Sequence, residues 1–126
     1  MENKPIKRIL LIDDDMFIVR LLTLLLTKSG YEIVTANDGK QAITILSEQQ
    51  FDLLILDLMM PEMDGLVFLQ WLRLEAMLTL PIIILTAMVA ADTEKQVLNA
   101  GGTVLIYKPI KVPDLIAKIQ QLEQTH

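Results

Sequence analysis

Short apolar runs alternate along the chain with segments in which apolar residues recur every three or four positions. The runs predict buried strands at 8–12, 31–36, 53–56, 82–85 and 104–107. The periodic segments predict helices at 16–28, 40–48, 66–76, 92–100 and 112–124. Turn and capping signals lie between them: Gly30 follows the first helix, Asn37-Asp38-Gly39 follows the second strand, and Asp92 is placed to cap the fourth helix.

This alternation of strands and helices predicts one α/β domain over residues 1–126. The length suits a single domain, and no linker, repeat or low-complexity segment interrupts the pattern. Continuous apolar runs indicate a doubly wound parallel sheet whose central strands are covered by helices on both faces. In such sheets, ligands bind outside the carboxyl ends of the strands.

Composition restricts the classes of protein to consider. Hydrophobic residues make up 52% of the chain, which excludes intrinsic disorder, and the absence of cysteine excludes disulfides and thiolate metal sites. The mean hydropathy is +0.45, but the longest uncharged stretch, 76–91, contains Pro81 and is shorter than the about 20 residues of a membrane span. We therefore expect a cytoplasmic protein without a membrane partner. An isoelectric point near 4.7 argues against direct binding of nucleic acid by this domain.

Polar residues follow four of the five predicted strands, and they carry the candidate chemistry. They are Asp13-Asp14-Asp15, Asp57, Thr86 and Lys108-Pro109. The carboxyl ends of parallel strands meet at one edge, where clustered carboxylates repel one another unless a cation is bound. Mg²⁺ takes carboxylate ligands together with phosphate, and a carboxylate can itself accept a phosphoryl group. The pattern predicts Mg²⁺-dependent phosphoryl chemistry on an aspartate, with Lys108 and Thr86 holding phosphoryl oxygens. Asp15 is better interpreted as the cap of the following helix than as a ligand.

Four short motifs at these strand ends make the interpretation more specific. They are Leu10-Leu11-Ile12-Asp13-Asp14, Leu56-Asp57 with Met60-Pro61-Glu62-Met63-Asp64-Gly65, Leu85-Thr86-Ala87, and Lys108-Pro109. Any one of them alone is uninformative. In this order and at this spacing they resemble the receiver domain of two-component response regulators, and the resemblance extends over essentially the whole chain.

The resemblance implies a role for each matching residue. Asp57 corresponds to the phosphoacceptor. Asp13, Asp14 and Asp57, with the backbone carbonyl of Met59, correspond to the ligands of Mg²⁺. Thr86 corresponds to the hydroxyl that moves onto the phosphoryl group, and Lys108 to the lysine that pairs with it. Pro109 would follow a cis peptide bond, which is physically allowed before proline. The expected fold is flavodoxin-like, with strand order 2-1-3-4-5.

The resemblance also implies the partners and the kind of activity. The phosphoryl group would come from a sensor histidine kinase or a histidine phosphotransfer protein, because the chain has one histidine, His126, at its last position. Phosphorylation would change a surface that binds a downstream protein effector or a covalently linked output domain. The chain would not be an enzyme, apart from catalysing its own phosphorylation and dephosphorylation.

The sequence departs from the family pattern at the residues that usually couple phosphorylation to the output. Leu105 occupies the position of the usual aromatic switch residue, and the nearby aromatic, Tyr107, lies on the same strand face. Gly101-Gly102 is followed by Thr103-Val104, without the acidic pair that is common there. These differences put the usual output coupling in doubt and leave the phosphorylation chemistry intact.

Apolar residues at exposed positions suggest two further hypotheses. Met59 and Met88 lie two positions after Asp57 and Thr86, where their side chains would flank the phosphoryl group and could prolong its lifetime by excluding water. The helix at 66–76 is apolar almost all round, which predicts self-association through Val67 and Trp71. The helix at 16–28 has a similar excess in Met16, Val19 and Leu24.

Three alternative functions fit the sequence less well than a receiver does. A degenerate receiver would act as a constitutive protein-interaction module, but the acidic pair, Asp57, Thr86 and Lys108 are all present. A phosphatase of the haloacid dehalogenase type would use Asp13 as nucleophile and Asp15 as acid, but it needs a cap and more motif residues than the chain supplies. A nucleotide-binding module is weaker, because no glycine-rich loop follows the first strand.

Overall fold

Five parallel strands form the central sheet, in the predicted order β2-β1-β3-β4-β5. The computed structural model describes residues 5–61, 63–88 and 90–125; Glu62 of the second motif and His126 lie outside the described residues. The strands are β1 (Arg8–Ile12), β2 (Glu32–Ala36), β3 (Leu53–Asp57), β4 (Ile82–Thr86) and β5 (Val104–Tyr107). Each lies within one or two residues of its prediction.

In the described residues, four helices connect the strands, a fifth follows the last strand, and together they cover the sheet. They are α1 (Met16–Lys28), α2 (Gly39–Glu48), α3 (Gly65–Leu74), α4 (Thr93–Ala100) and α5 (Val112–Thr125). The predicted α/β fold with a doubly wound parallel sheet is confirmed. No helix of the described segments is long and apolar enough to cross a membrane.

The strands are apolar throughout because both faces of the sheet are buried. Successive side chains of a strand point to opposite faces. Leu10, Leu54 and Ile84 therefore belong to the core on one face, and Leu11 and Ile83 belong to the core on the other. Burial on two faces explains most of the high hydrophobic content of a chain with a net negative charge.

Aspartate side chains begin three of the helices. Asp15 accepts from the amides of Phe17 and Ile18, which confirms its interpretation as a helix cap. Asp38 and Asp64 cap α2 and α3 in the same way. The expectation for the fourth helix was wrong in one respect. Asp92 lies at the capping position of α4, but its side chain makes no capping hydrogen bond.

Helix α3 ends at Leu74, two residues before the predicted end. The chain leaves the helix through Met77, whose backbone is left-handed with φ 57°. The Arg73 side chain holds the segment that follows. Its guanidinium donates to the backbone carbonyls of Leu78, Leu80 and Gly101, and to the hydroxyl of Thr103. Tertiary hydrogen bonds therefore fix the loop between α3 and β4.

A short antiparallel ladder follows β3, and the apolar pattern did not predict it. Met59–Met60 pairs with Met63–Asp64, beginning two residues after Asp57. The ladder runs into α3 at Gly65, where a Cβ atom would collide with the carbonyl oxygen of Leu58. Glycine is needed there because the backbone turns back closely onto the end of β3.

The surfaces of α1 and α3 differ in part from expectation. Val19 is buried in the core, so it does not contribute to an exposed surface of α1; Phe17 does, with 71% of its area exposed. Trp71 is half-buried and stacks on Phe68, with ring centroids 6.1 Å apart. Val67 remains 59% exposed. Self-association through Val67 and Trp71 stays a prediction, with Val67 as its exposed member.

Candidate functional site

The carboxyl ends of the strands bring together three of the aspartates that the sequence singled out. Asp13 and Asp14 follow β1, and Asp57 ends β3. A carboxylate oxygen of each lies within 4.8 Å of the others. Asp13 and Asp57 are buried, whereas Asp14 is exposed to solvent at the rim. Two of the three acids are therefore removed from water, and their charges need compensation from within the site.

Lys108 supplies part of that compensation from the end of β5. Its Nζ lies 3.3 Å from Oδ2 of Asp57 and 3.8 Å from Oδ2 of Asp13. The Lys108 amide donates to the carbonyl of Thr86, which joins the ends of β4 and β5. The Lys108–Pro109 peptide bond is cis, as the resemblance implied. The lysine is thus directed at both buried carboxylates.

Asp13 shows that one ammonium group does not fully compensate the site. Its Oδ1 accepts from the amide of Asp15 at 2.9 Å, but its buried Oδ2 has no hydrogen-bond partner. Burial raises the pKa of Asp13 to about 6; the hydrogen bond from Asp15 opposes this shift and the charge of Asp57 adds to it. An orphaned carboxylate oxygen among three acids is the donor set that a hard divalent cation takes. The residues fit a metal such as Mg²⁺.

Two backbone amides hold the side chains of Asp57 and Thr86. The amide of Met59 donates to Oδ1 of Asp57 at 3.1 Å. The amide of Met88 donates to Oγ1 of Thr86 at 3.0 Å. Thr86 is buried at the end of β4, and its hydroxyl hydrogen remains available for a second partner. Sequence reasoning missed both amides because residue types carry no signal for backbone donors; their position two residues past a strand end was the only available indication.

The structure also places Leu105, at the usual position of the aromatic switch residue, and the nearby aromatic Tyr107. Leu105 packs against the core on the α3 side of the sheet. Tyr107 lies beside Thr86 in the register of β4 and β5 and is 40% exposed. The aromatic residue of β5 therefore lies next to Thr86, two residues further along the strand than Leu105 on the same face.

Comparison with known proteins identifies the family. A family model described as the response regulator receiver domain matches residues 9–120. The probable transcriptional regulator ycf27 of Cyanophora paradoxa is 40% identical over 92% of this chain and 48% of its own length. The DNA-binding response regulator MtrA of Mycobacterium leprae is 37% identical over 90% of this chain and 50% of its own length. The chain thus spans about half the length of these curated relatives.

Solved structures give the same assignment. A two-component response regulator from Clostridium difficile superimposes with a TM-score of 0.89 at 26% identity, covering 94% of this chain and 97% of that one. The response regulator TrrA of Thermotoga maritima, solved in complex with Mg²⁺-BeF, superimposes with a TM-score of 0.80 at 33% identity, covering 92% and 98%. The resemblance drawn from the four motifs is confirmed: the chain belongs to the family of response regulator receiver domains, which accept phosphoryl groups in two-component signal transduction.

Proposed function

We propose that Asp57 is the residue that accepts the phosphoryl group, and that the donor is a phosphohistidine on another protein. A carboxylate oxygen of Asp57 attacks phosphorus, the bond from phosphorus to the donor's imidazole nitrogen breaks, and an acyl phosphate forms while the histidine is released. The observation that carries this proposal is the position of Lys108, 3.3 Å from Asp57 in a buried acidic cluster. A structural ion pair would not need the two further acids.

Mg²⁺ is the proposed cofactor. Asp13, Asp14 and Asp57 would hold it, together with the backbone carbonyl of Met59. When bound, the ion supplies positive charge that offsets the repulsion between carboxylates and phosphoryl oxygens. The orphaned Oδ2 of Asp13 supports this proposal. The complex of the similar Thermotoga maritima protein with Mg²⁺-BeF supports it as well.

Lys108 and Thr86 act on the phosphoryl group once it is in place. The Lys108 ammonium, already close to Asp57, pairs with a phosphoryl oxygen as a point charge. The Thr86 hydroxyl accepts from the Met88 amide and keeps its own hydrogen free. Donating that hydrogen to a phosphoryl oxygen would reorient Thr86 and the segment that begins at Met88. The chain's own catalysis is confined to gaining and losing this phosphoryl group.

A sensor histidine kinase or a histidine phosphotransfer protein is the proposed donor. The output is a downstream protein or a linked domain. Relatives named as transcriptional or DNA-binding regulators are about twice as long as this chain, which favours a linked domain. We also propose that residues 1–126 form one cytoplasmic receiver domain. The full reading frame distinguishes a linked output domain from a separate effector.

Acetyl phosphate tests the proposal without the natural kinase. Intact-mass measurement with Mg²⁺ should detect one added phosphoryl group in the natural protein, but none in Asp57→Asn or after chelation of the metal. Asp52→Asn is a useful control, because this partly exposed acid lies at the opposite end of β3. No mass gain in the natural protein would indicate a degenerate receiver. Steady release of phosphate from external monoesters would instead indicate a phosphatase.

A further inference from the structure

A cavity of about 370 Å³ opens between the N-terminal ends of α3 and α4, beside the acceptor site. Four methionines line it: Met59, Met60, Met63 and Met88. They are more than half of the seven methionines in the chain. The thioether side chain is flexible and polarisable, and it makes favourable contacts with aromatic rings. The wall of this cavity is therefore adaptable, and its chemistry favours an aromatic group.

One polar group in the cavity has no partner. Thr93, in the first turn of α4, is buried, and its Oγ1 makes no hydrogen bond. A buried hydroxyl without a partner is unfavourable, because it has given up water without replacing it. The adjoining Asp92 side chain makes no capping hydrogen bond either, so two side chains at the start of α4 lack the partners that their types usually find. The cavity thus combines a mostly apolar wall, in which Asp64 and Gln96 are the other polar residues, with one buried hydroxyl that has no hydrogen-bond partner.

We propose that this cavity binds an aromatic side chain with a polar group, tyrosine or tryptophan, from a partner protein. Such a side chain buries its ring against thioethers and satisfies a buried hydroxyl with its own polar atom. Met59 and Met88 at the rim are 51% and 41% exposed. A free small molecule would fill the cavity and leave this rim in water, whereas a protein segment would cover both. An aromatic anchor inside an apolar rim is typical of the centre of an interface.

The cavity adjoins the acceptor site, so we expect binding in the cavity to be coupled to phosphorylation. This part of the proposal rests on the proposed function. The Met59 amide binds the Asp57 carboxylate, and the Met88 amide binds the Thr86 hydroxyl. Two of the cavity walls are therefore held by the two residues whose contacts change on phosphorylation. The affinity for the aromatic group should differ between the two states, and by linkage its binding should alter phosphorylation to the same extent.

Methyl NMR of the whole chain, labelled with ¹³C at the methionine methyl groups, tests the cavity directly. The probes are p-cresol and toluene, which reproduce the side chains of tyrosine and phenylalanine. We expect p-cresol to shift the resonances of Met59 and Met88 and to leave Met77, at the other end of the molecule, unchanged. Shifts of Met16, Met60 and Met63 without Met59 and Met88 would place the probe in the neighbouring cavity that Met16 lines, and would overturn the proposal.

The hydroxyl gives a second, independent readout. We expect p-cresol to bind about three- to tenfold more tightly than toluene, the range of one hydrogen bond. Thr93→Val should abolish this preference, whereas the exposed control Thr79→Val should retain it. An unchanged Met77 resonance reports that each variant is folded. Equal affinities for the two probes in the natural protein would overturn the role of Thr93.

Two further titrations test whether the aromatic ring belongs to a protein segment and whether its binding is coupled to phosphorylation. N-acetyltyrosine N-methylamide should bind at least as tightly as p-cresol; its rejection would favour a small metabolite over a protein segment and overturn the proposal. The titration is then repeated with Mg²⁺ and beryllofluoride. Equal affinities, in protein that acetyl phosphate has been shown to modify, would overturn the coupling. If Asp57 does not react at all, the proposed function fails, and the measurement of the cavity in untreated protein stands by itself.

Discussion

Replacing Asp13 with asparagine should stabilise the metal-free protein. Asparagine keeps the oxygen that accepts from the Asp15 amide and removes a buried charge whose Oδ2 has no hydrogen-bond partner. Lys108 retains its closer partner, Asp57, at 3.3 Å. The substitution therefore removes an unfavourable charge without breaking the hydrogen bond that positions the chain after β1.

The magnitude follows from the acidity of the group. Burial raises the pKa of Asp13 from 3.8 to about 6. Since ~1.4 kcal/mol corresponds to a tenfold change in an equilibrium constant, ionised Asp13 should cost the folded state roughly 3 kcal/mol at neutral pH. The attraction of Lys108 is already included in this net shift. Part of the gain is instead offset by the amide group of asparagine, which is buried next to the Lys108 ammonium. We expect Asp13→Asn to raise the free energy of unfolding by about 2 kcal/mol.

Urea unfolding in EDTA at pH 7.5 measures this difference, and its pH dependence tests the cause. Below pH 6 the folded protein binds a proton at Asp13 before the unfolded chain does, so the natural protein gains stability as the pH falls towards 4. The advantage of Asp13→Asn should therefore disappear over that range. Exposed Asp14→Asn should change the stability in EDTA by less than about 0.5 kcal/mol.

Magnesium should reverse the comparison. A bound cation offsets the charge of Asp13, so Mg²⁺ should stabilise the natural protein and have much less effect on Asp13→Asn. If Asp13→Asn is less stable than the natural protein in EDTA at pH 7.5, the reasoning is refuted, because the ionised carboxylate would then be a net stabilising group. A pH-independent difference would show that the effect does not come from its ionisation.

Three other substitutions test separate parts of the account. Met59→Asn should accelerate decay of the acyl phosphate several-fold, because an amide can orient the attacking water that the exposed thioether excludes. The decay is followed as the loss of bound phosphoryl group after the donor is removed. An unchanged rate would contradict the shielding role of Met59. Arg73→Met should lower the free energy of unfolding by about 3 kcal/mol, since three carbonyls and a hydroxyl lose their donor, whereas exposed Arg20→Met should have little effect. Val67→Glu should abolish any dimer seen by sedimentation velocity; a natural protein that stays monomeric at high concentration would count against self-association.

The sheet could be predicted from sequence because burial on two faces leaves a strong signal. Leu53, Leu54, Ile55 and Leu56 have no polar neighbour between them, and a run of this length between turn signals has few other interpretations. The order of the polar residues after such runs then placed Asp13, Asp57 and Thr86 at one edge. All strands of a parallel sheet end at the same edge, so the position of these residues follows directly from the sheet topology.

Features fixed by tertiary contacts were not accessible in the same way. The left-handed Met77 and the end of α3 depend on the loop that Arg73 holds. The burial of Val19 and the exposure of Phe17 depend on which side of α1 meets the sheet, and an almost wholly apolar helix does not specify that. The missing capping hydrogen bond of Asp92 and the unpaired hydroxyl of Thr93 both depend on how the loop before α4 is placed, and the residue type of Asp92 suggested a cap.

The identity of the phosphorylated residue is the central claim, and reduction of the acyl phosphate tests it most directly. The protein is treated with acetyl phosphate and Mg²⁺, reduced with borohydride, and digested for peptide mass mapping. Only an acyl phosphate is converted to the alcohol, so homoserine should replace aspartate at position 57, in a Mg²⁺-dependent manner and at no other acid of the site. Homoserine at Asp13 or Asp14, or none at Asp57 after the protein has gained a phosphoryl group, would contradict the account.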